Sequence, residues 1–359
     1  MNETEPKMHD NEPKSDDFRT KIIRLCFFLL VTMCVVGLAF SFGGTRGEII
    51  KVAFLGSKDD EDYAGAVAFK ETIERETGGE LTVQIFPAGQ FCGNARECLE
   101  ALQSGTLEIT MTTAGGAGSL FGAIQVLDLP YAFDGDAVAE CVMDGPFSQR
   151  LRLAMLEAGT GIRLGVISNT GGWRNFATVD APVQSAEDLA GLKLRTVTAP
   201  IQQEMMRQLN ASATPIAWSE LYSALATKVV EGTKNSVQDI VGMKFHEHIK
   251  HLSLDGHAYM AAMWWLSEDR WQRFSVSEQQ AVMKGLQALQ EETRTIVKAG
   301  EEAALQEFTD AGGTVYRLTP EQRQTFVTAT AGMRDWFSAQ YGDEWLLHLD
   351  QAVNTCTAS

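Results

Sequence analysis

From Ile49 onward, short apolar runs alternate with amphipathic stretches of helical period, and this alternation restricts the fold more than any other feature. Lys51-Val-Ala-Phe-Leu55 reads as a strand, Glu61 to Thr77 as a helix ended by Gly78-Gly79, and Leu81-Thr-Val-Gln-Ile-Phe86 as a second strand. Asn94 is placed to cap a helix running to Ser104, with Gly105 just past its end, and Leu107-Glu-Ile-Thr-Met-Thr112 follows as a third strand. Helices inserted between strands impose crossover connections and hence a mostly parallel sheet. Ligands of such sheets lie beyond the carboxyl ends of the strands.

A second unit repeats the style. Ile162 to Ser168 and Arg174 to Val179 read as strands. Ser185 caps a short turn through Leu189, Gly191 closes it, and Lys193-Leu-Arg-Thr-Val197 returns as a strand. Pro200 opens a helix to Leu209, Ala213 to Trp218 is extended, and Ser219 caps a helix through Val230. Ser277 to Asp310 reads as one helix of roughly 50 Å, longer than one small domain needs, and therefore expected to span two. After a strand from Val315 to Leu318, Thr319-Pro-Glu-Gln322 carries the cap, first-turn proline and third-position amide of a helix start. The expectation is a two-domain α/β fold with a cleft between the domains and a long helix spanning both. One domain is drawn from residues 48–171 and 260–299, the other from 172–259 and 300–350.

Length and charge fit this picture. The 359 residues suffice for two cores, and 45% apolar with 21% charged residues is an ordinary globular balance. A formal net charge of −17 argues against a nucleic-acid surface or a polybasic lipid-binding patch, but not against a small anionic ligand, which senses only nearby groups. The N-terminus points to export. A polar tail, residues 1–24, carries Lys21 and Arg24 ahead of an uncharged run from Leu25 to Thr45, a transmembrane anchor or signal segment with its body outside. Retained anchor and cleaved signal stay open at this point.

Cys26 and Cys34 lie in that run, leaving Cys92, Cys98, Cys141 and Cys356 for the exported body. Cys92 and Cys98 could pair, but four cysteines allow three connectivities. Without a C-x-x-C pair, neither a thiol redox site nor a structural zinc site is expected. His246-Glu-His-Ile-Lys-His251 is not H-E-x-x-H and reads as a solvated helix face. Gly115-Gly-Ala-Gly118 lacks the P-loop lysine, and no nucleophile elbow is present. No catalytic constellation, metal or cofactor is expected.

The most informative segment runs from Gly171 to Asn235. It contains Gly171-Gly-Trp-Arg174, then Asp188-Leu-Ala-Gly-Leu-Lys-Leu-Arg195, then Pro215 to Thr227 with Glu220, Tyr222 and Leu225, and Val229-Val-Glu-Gly-Thr-Lys-Asn235. This resembles the dicarboxylate-receptor (DctP-like) solute-binding proteins of tripartite ATP-independent periplasmic (TRAP) transporters, with their "G-x-R", "D-L-x-G-x-K-x-R", "P-x-x-x-x-E-x-Y-x-A-L-x-T" and "V-V-D-G-x-E-N" elements. Pro87 to Gly93, Glu97 to Leu107, Lys244-Phe-x-Glu247 and His257 resemble flanking elements, so the likeness covers about residues 50 to 310.

The resemblance implies a periplasmic-binding-protein-like fold and a non-enzymatic extracytoplasmic receptor. Such a receptor delivers a small organic acid to membrane permease subunits driven by an ion gradient. It implies that Arg195 clamps the ligand carboxylate and Arg174 assists, that the Trp218 ring packs on the ligand, and that the Asn235 amide orients it. Arginine suits the first role because its planar fork matches a carboxylate and keeps its charge. The family's acidic residue before the asparagine is Lys234 here, and its Asp is Glu231. Trp173, Trp264 and Trp265 either line the pocket or pack. Tryptophans near the site lean towards a ligand with an apolar or ring portion. Two other readings use the same cleft: a membrane-anchored sensor, or an enzyme acting on organic acids. The short tail before the apolar run leaves no room for an output domain, and no base or nucleophile is in view.

Overall fold

The computed structural model describes residues 48–358. The run from Leu25 to Thr45 lies outside them, and with it the choice between anchor and signal. Among the described residues no helix is long and apolar enough to cross a membrane.

The first unit forms as its pattern dictates. β1 (Glu48–Ala53), α1 (Glu61–Glu76), β2 (Leu81–Phe86), α2 (Ala95–Gln103) and β3 (Ile109–Thr113) follow in order, and β1 pairs parallel with both β2 and β3. Asn94 caps α2 by accepting from the Glu97 amide at 3.0 Å, as its position predicts. Two helices not anticipated from period follow, α3 (Asp136–Asp144) and α4 (Pro146–Glu157).

β4 (Ile162–Thr178) and the antiparallel β8 (His251–Ser267) are the axis of the molecule, 17 residues each. The two strands expected at Ile162 to Ser168 and Arg174 to Val179 are one, because Thr170-Gly171-Gly172 is absorbed as a bulge rather than a break. Asn169 faces Ala261 and Trp173 faces Tyr259, so β4 carries two extra residues there. Gly171 (φ 75°) and Gly172 (φ 101°) supply the backbone this requires. The run Ala258–Leu266 has neither helix nor strand period because both of its faces are buried.

Between the long strands lie β5 (Lys193–Thr196), α5 (Pro200–Gln208), β6 (Ser212–Pro215), α6 (Leu221–Ala226), β7 (Gly232–Asn235) and α7 (Val237–Gly242). The Trp218–Glu220 stretch is a 3₁₀ turn, so Ser219 sits inside it and caps nothing, and α6 ends before Lys228, which is left-handed at φ 55°. One sheet results, ordered β2-β1-β3-β8-β4-β7-β5-β6, with β9 (Thr314–Tyr316) beside β8. β3 pairs with the Ala262–Leu266 end of β8, whereas β7 pairs with the Asn175–Thr178 end of β4 and β9 with the start of β8. The long pair thus joins the two parallel groups, β8 holding the first through β3 and β4 the second through β7.

α8 (Val276–Asp310) is the expected long helix, 35 residues opened by a Ser275–Glu278 capping box one turn-position before Ser277. Its Val282, Leu286 and Leu289 join one core with Phe69 and Ile73 of α1, while Leu305 and Phe308 join another with Val237 and Ile240 of α7. Each such side chain contributes about 1.5–3 kcal/mol of burial, so the helix is fastened at both ends. A Cβ at Gly285 would lie 2.8 Å from the Phe69 ring, and glycine is what lets α8 approach α1.

The chain ends in α9 (Pro320–Ala329), α10 (Met333–Tyr341) and α11 (Glu344–Thr357), with the Thr319–Gln322 capping box formed. α10 packs on α5 and α11 on α3 and α4. Of the three connectivities the structure takes Cys92–Cys98, across the loop into α2, and Cys141–Cys356, which ties α11 to α3. The histidine cluster is not a helix face. His246 lies in a 3₁₀ turn, His251 opens β8 and meets the Tyr316 hydroxyl at 3.0 Å, and His257 is buried against Asp255 at 2.8 Å.

Candidate functional site

The carboxyl ends of β1, β3 and β5 open onto a cavity of about 450 Å³, the position expected for a ligand of such a sheet. Arg174, Arg195, Trp218 and Asn235 all line it. Tertiary structure therefore brings together four residues spread over 62 positions of sequence.

Arg195 reaches the cavity because Leu194, its neighbour on β5, points into the core and the strand alternates. The side chain is 4% exposed. Its Nε donates to the Ile216 carbonyl at 3.0 Å, and its guanidinium carbon sits 5.5 Å from the centre of the Trp218 ring. Arg174, also 4% exposed, follows the glycine bulge of β4; one terminal nitrogen donates to the Lys234 carbonyl at 3.3 Å, and its buried Nε has no partner. Among the described residues neither guanidinium has a carboxylate within ion-pairing distance. Burial, and then the Arg174 charge, pull Arg195 down to about 9, with Asp239 pulling the other way.

Lys234, the departure from the family pattern, lies close behind this pair. It is fully enclosed, donates to Gln202 Oε1 at 2.5 Å, and Gln202 donates in turn to Asp128 at 2.8 Å. Burial and the neighbouring Arg174 hold its ammonium well below the usual lysine range. Lys234 does not line the cavity.

Asn235 ends β7 and spends its amide nitrogen on Asp239 at 2.9 Å; the cap of α7 is Ser236 instead. Trp218 stands edge-on to Phe245 and presents its face to Arg195. Trp173, Trp264 and Trp265 pack away from the cavity, each with its indole nitrogen satisfied, by Asp136, Ser168 and Thr112 respectively.

Several residues of the site escape motif reasoning. Asp60 caps α1, accepting from the Asp62 amide at 3.0 Å, and Asp62 follows in the first turn; both line the cavity, as does Asp239 from α7. Burial, and then Asp239, push Asp60 up to about 7, and burial with neighbouring carboxylates pushes Glu61 and Asp62 well above the usual range. One oxygen each of Asp60, Glu61 and Asp62 lies within 4.8 Å of the others. The legible signal was an Asp-Glu-Asp run at the carboxyl end of the first strand. On the far side, Gly116 lets the helical turn Ala114–Ala117, just after β3, run close to α2, since a Cβ there would lie 3.1 Å from that of Ala95.

The profile of the bacterial extracellular solute-binding proteins, family 7, matches residues 53–339. The sialic acid-binding periplasmic protein of Vibrio cholerae is 30% identical over 284 residues, 79% of this chain and 87% of that one. A TRAP periplasmic solute-binding protein from Ochrobactrum anthropi, with its C-terminus bound in the ligand-binding pocket, superposes with a TM-score of 0.77 at 31% identity, covering 87% of this chain and 97% of that one. The sugar acid-binding protein of Advenella mimigardefordensis in complex with galactonate gives 0.83 at 25% identity, covering 87% and 99%.

Proposed function

The chain belongs to the bacterial extracellular solute-binding proteins, family 7, and on that premise we propose that it holds a small organic acid by its carboxylate on Arg195 and Arg174 and delivers it to a TRAP permease at the periplasmic face of the membrane. The observation that carries the clamp is the pair of enclosed guanidiniums without an ion pair. Uncompensated buried charge is costly, and an anion entering the cavity removes that cost at the moment of binding. A carboxylate offers two oxygens to the two unspent forks. In this reading Trp218 covers the apolar side of the ligand and Asn235 fixes its orientation.

Two lobes would close on the ligand, the first from residues 48–171 and 260–299 and the second from 172–259 and 300–350. The β4 bulge opposite Tyr259–Ala261 supports a hinge there, because a ladder interrupted by two extra residues bends more easily than a continuous one. Closure needs contacts that exist only when the lobes meet, and a ligand held from both sides supplies them.

The relatives' ligands, a sialic acid and a galactonate, are both sugar acids and set the first panel. Thermal-shift screening of the full-length chain against carboxylates should find a ligand, because binding raises apparent stability. Calorimetry should then show the affinity lost in Arg195→Ala while circular dichroism shows an unchanged fold. Unchanged affinity in that variant would sink the clamp.

A further inference from the structure

A cavity built only for a carboxylate has no use for acidic side chains, yet Asp60 and Asp62 line the same space as the arginines. Their position is not explained by capping alone. Asp60 does cap α1 with one oxygen, but Asp62 is completely enclosed and caps nothing. One of its oxygens accepts from the Thr170 hydroxyl at 3.1 Å; the other has no hydrogen-bond partner. Among the described residues no lysine, arginine or histidine pairs with Asp60 or Asp62. The charges Asp62 feels most are Asp60 and Asp239, both acidic, and of these Asp239 is the one on which the two arginines act. The cavity therefore carries two unmet demands of opposite sign, one at the β1–α1 junction and one on β4 and β5.

We propose that the ligand is zwitterionic, with a cationic nitrogen held by Asp60 and Asp62 at one end of the cavity while its carboxylate sits on Arg195 and Arg174. The proposal rests on the carboxylate clamp for one half of the ligand and adds the other half. An ammonium or amidinium donates to the unpartnered oxygen of Asp62, with the Asp60 carboxyl beside it, satisfying a group the folded chain leaves bare. A ligand that meets both demands gains twice, whereas a simple acid or a dicarboxylate would set a neutral or negative end against buried carboxylates. Discrimination of this kind is strong because it is made by buried polar groups left without a partner, not by shape.

The test is calorimetry on the full-length chain, freed of bound solute, in matched pairs: amino acids and betaines with the nitrogen two to five carbons from the carboxylate, against the same acids without nitrogen and against succinate and glutarate. At least one zwitterion should bind about tenfold or more tightly than its nitrogen-free partner. Asp62→Asn, which keeps the shape and the Thr170 contact, should erase most of that preference; Asp60→Asn provides a second reading should the first variant fold poorly. Plain acids that bind as tightly as the zwitterions, with a dependence on Arg195, would overturn the cationic end and leave the clamp standing. Binding of neither class overturns both. Calcium chloride alone stabilising the protein through Asp62 overturns the proposal in favour of an inorganic cation.

Discussion

Replacing Arg195 by methionine should raise the stability of the ligand-free protein while destroying its affinity. The structure gives the magnitude. The guanidinium, 4% exposed, is pulled down to about 9 mainly by burial, a penalty on the charged form of about 5 kcal/mol. The sign is clear: below about pH 9 the group is charged in both folded and unfolded chains, so the full cost is present at neutral pH and fades only above that value. Methionine keeps the unbranched stem and its packing but carries no charge. It forfeits the bond to the Ile216 carbonyl and the face of Trp218, together about 2–3 kcal/mol. The net is a gain of about 2 kcal/mol, or a melting temperature higher by roughly 3 °C for a chain of this size. Binding should weaken by about 2–5 kcal/mol, roughly thirty- to several-thousand-fold. Thermal unfolding of thoroughly dialysed protein at pH 7, beside calorimetry with the best carboxylate from the screen, reads both. A melting temperature that falls by several degrees would refute the reasoning, since it would mean that Arg195 holds the fold together rather than waiting for an anion.

Three further outcomes follow from the same geometry. Lowering the pH from about 8 to 6.5 should stabilise the ligand-free protein. Carboxyls raised in the folded state (Asp60 to about 7, Glu61 and Asp62 further) cost stability above their folded values and release it as protons bind, and thermal scans with Asp62→Asn should show a flatter slope. Below about 6.5 the buried His257, whose affinity for a proton is lowered by burial, works in the opposite direction and should level the trend. Cys141→Ser should destabilise by up to about 5 kcal/mol, since its bridge to Cys356 closes a loop of 215 residues, whereas Cys92→Ser should cost about 2 kcal/mol; denaturant titration separates them. Gly171→Ala should destabilise the chain, because the residue sits at φ 75° and a Cβ there meets the Ser236 side chain; a melting temperature equal to that of the parent would show the β4 bulge to be adaptable.

Much of the fold was written locally. The β–α–β order, the caps at Asn94 and Thr319, the glycine stops and the long helix from Val276 all arise from interactions within a few residues, which is why period and capping chemistry predict them. The gathering of Arg174, Arg195, Trp218 and Asn235 in one cavity was anticipated through motif resemblance, with Arg174, Arg195 and Asn235 on strands but Trp218 in a 3₁₀ turn where an extended stretch was expected. What period could not supply was β8, whose Tyr259–Leu266 run is buried on both faces and so reads alike as strand or helix. Nor could spacing choose Cys141–Cys356 over its alternatives, because pairing depends on where α3 and α11 meet.

The sequence by itself determined the α/β alternation, the helix ends and the residue types available to hold an anion. Only tertiary structure decided that Gly171-Gly172 bends one strand instead of separating two, and that Asp60 and Asp62 face the arginines' cavity rather than water. The physical reason is that helix and strand propensity act over a few residues, whereas burial, which sets the charge cost of Arg195 and of Asp62, is the joint product of elements far apart in the chain.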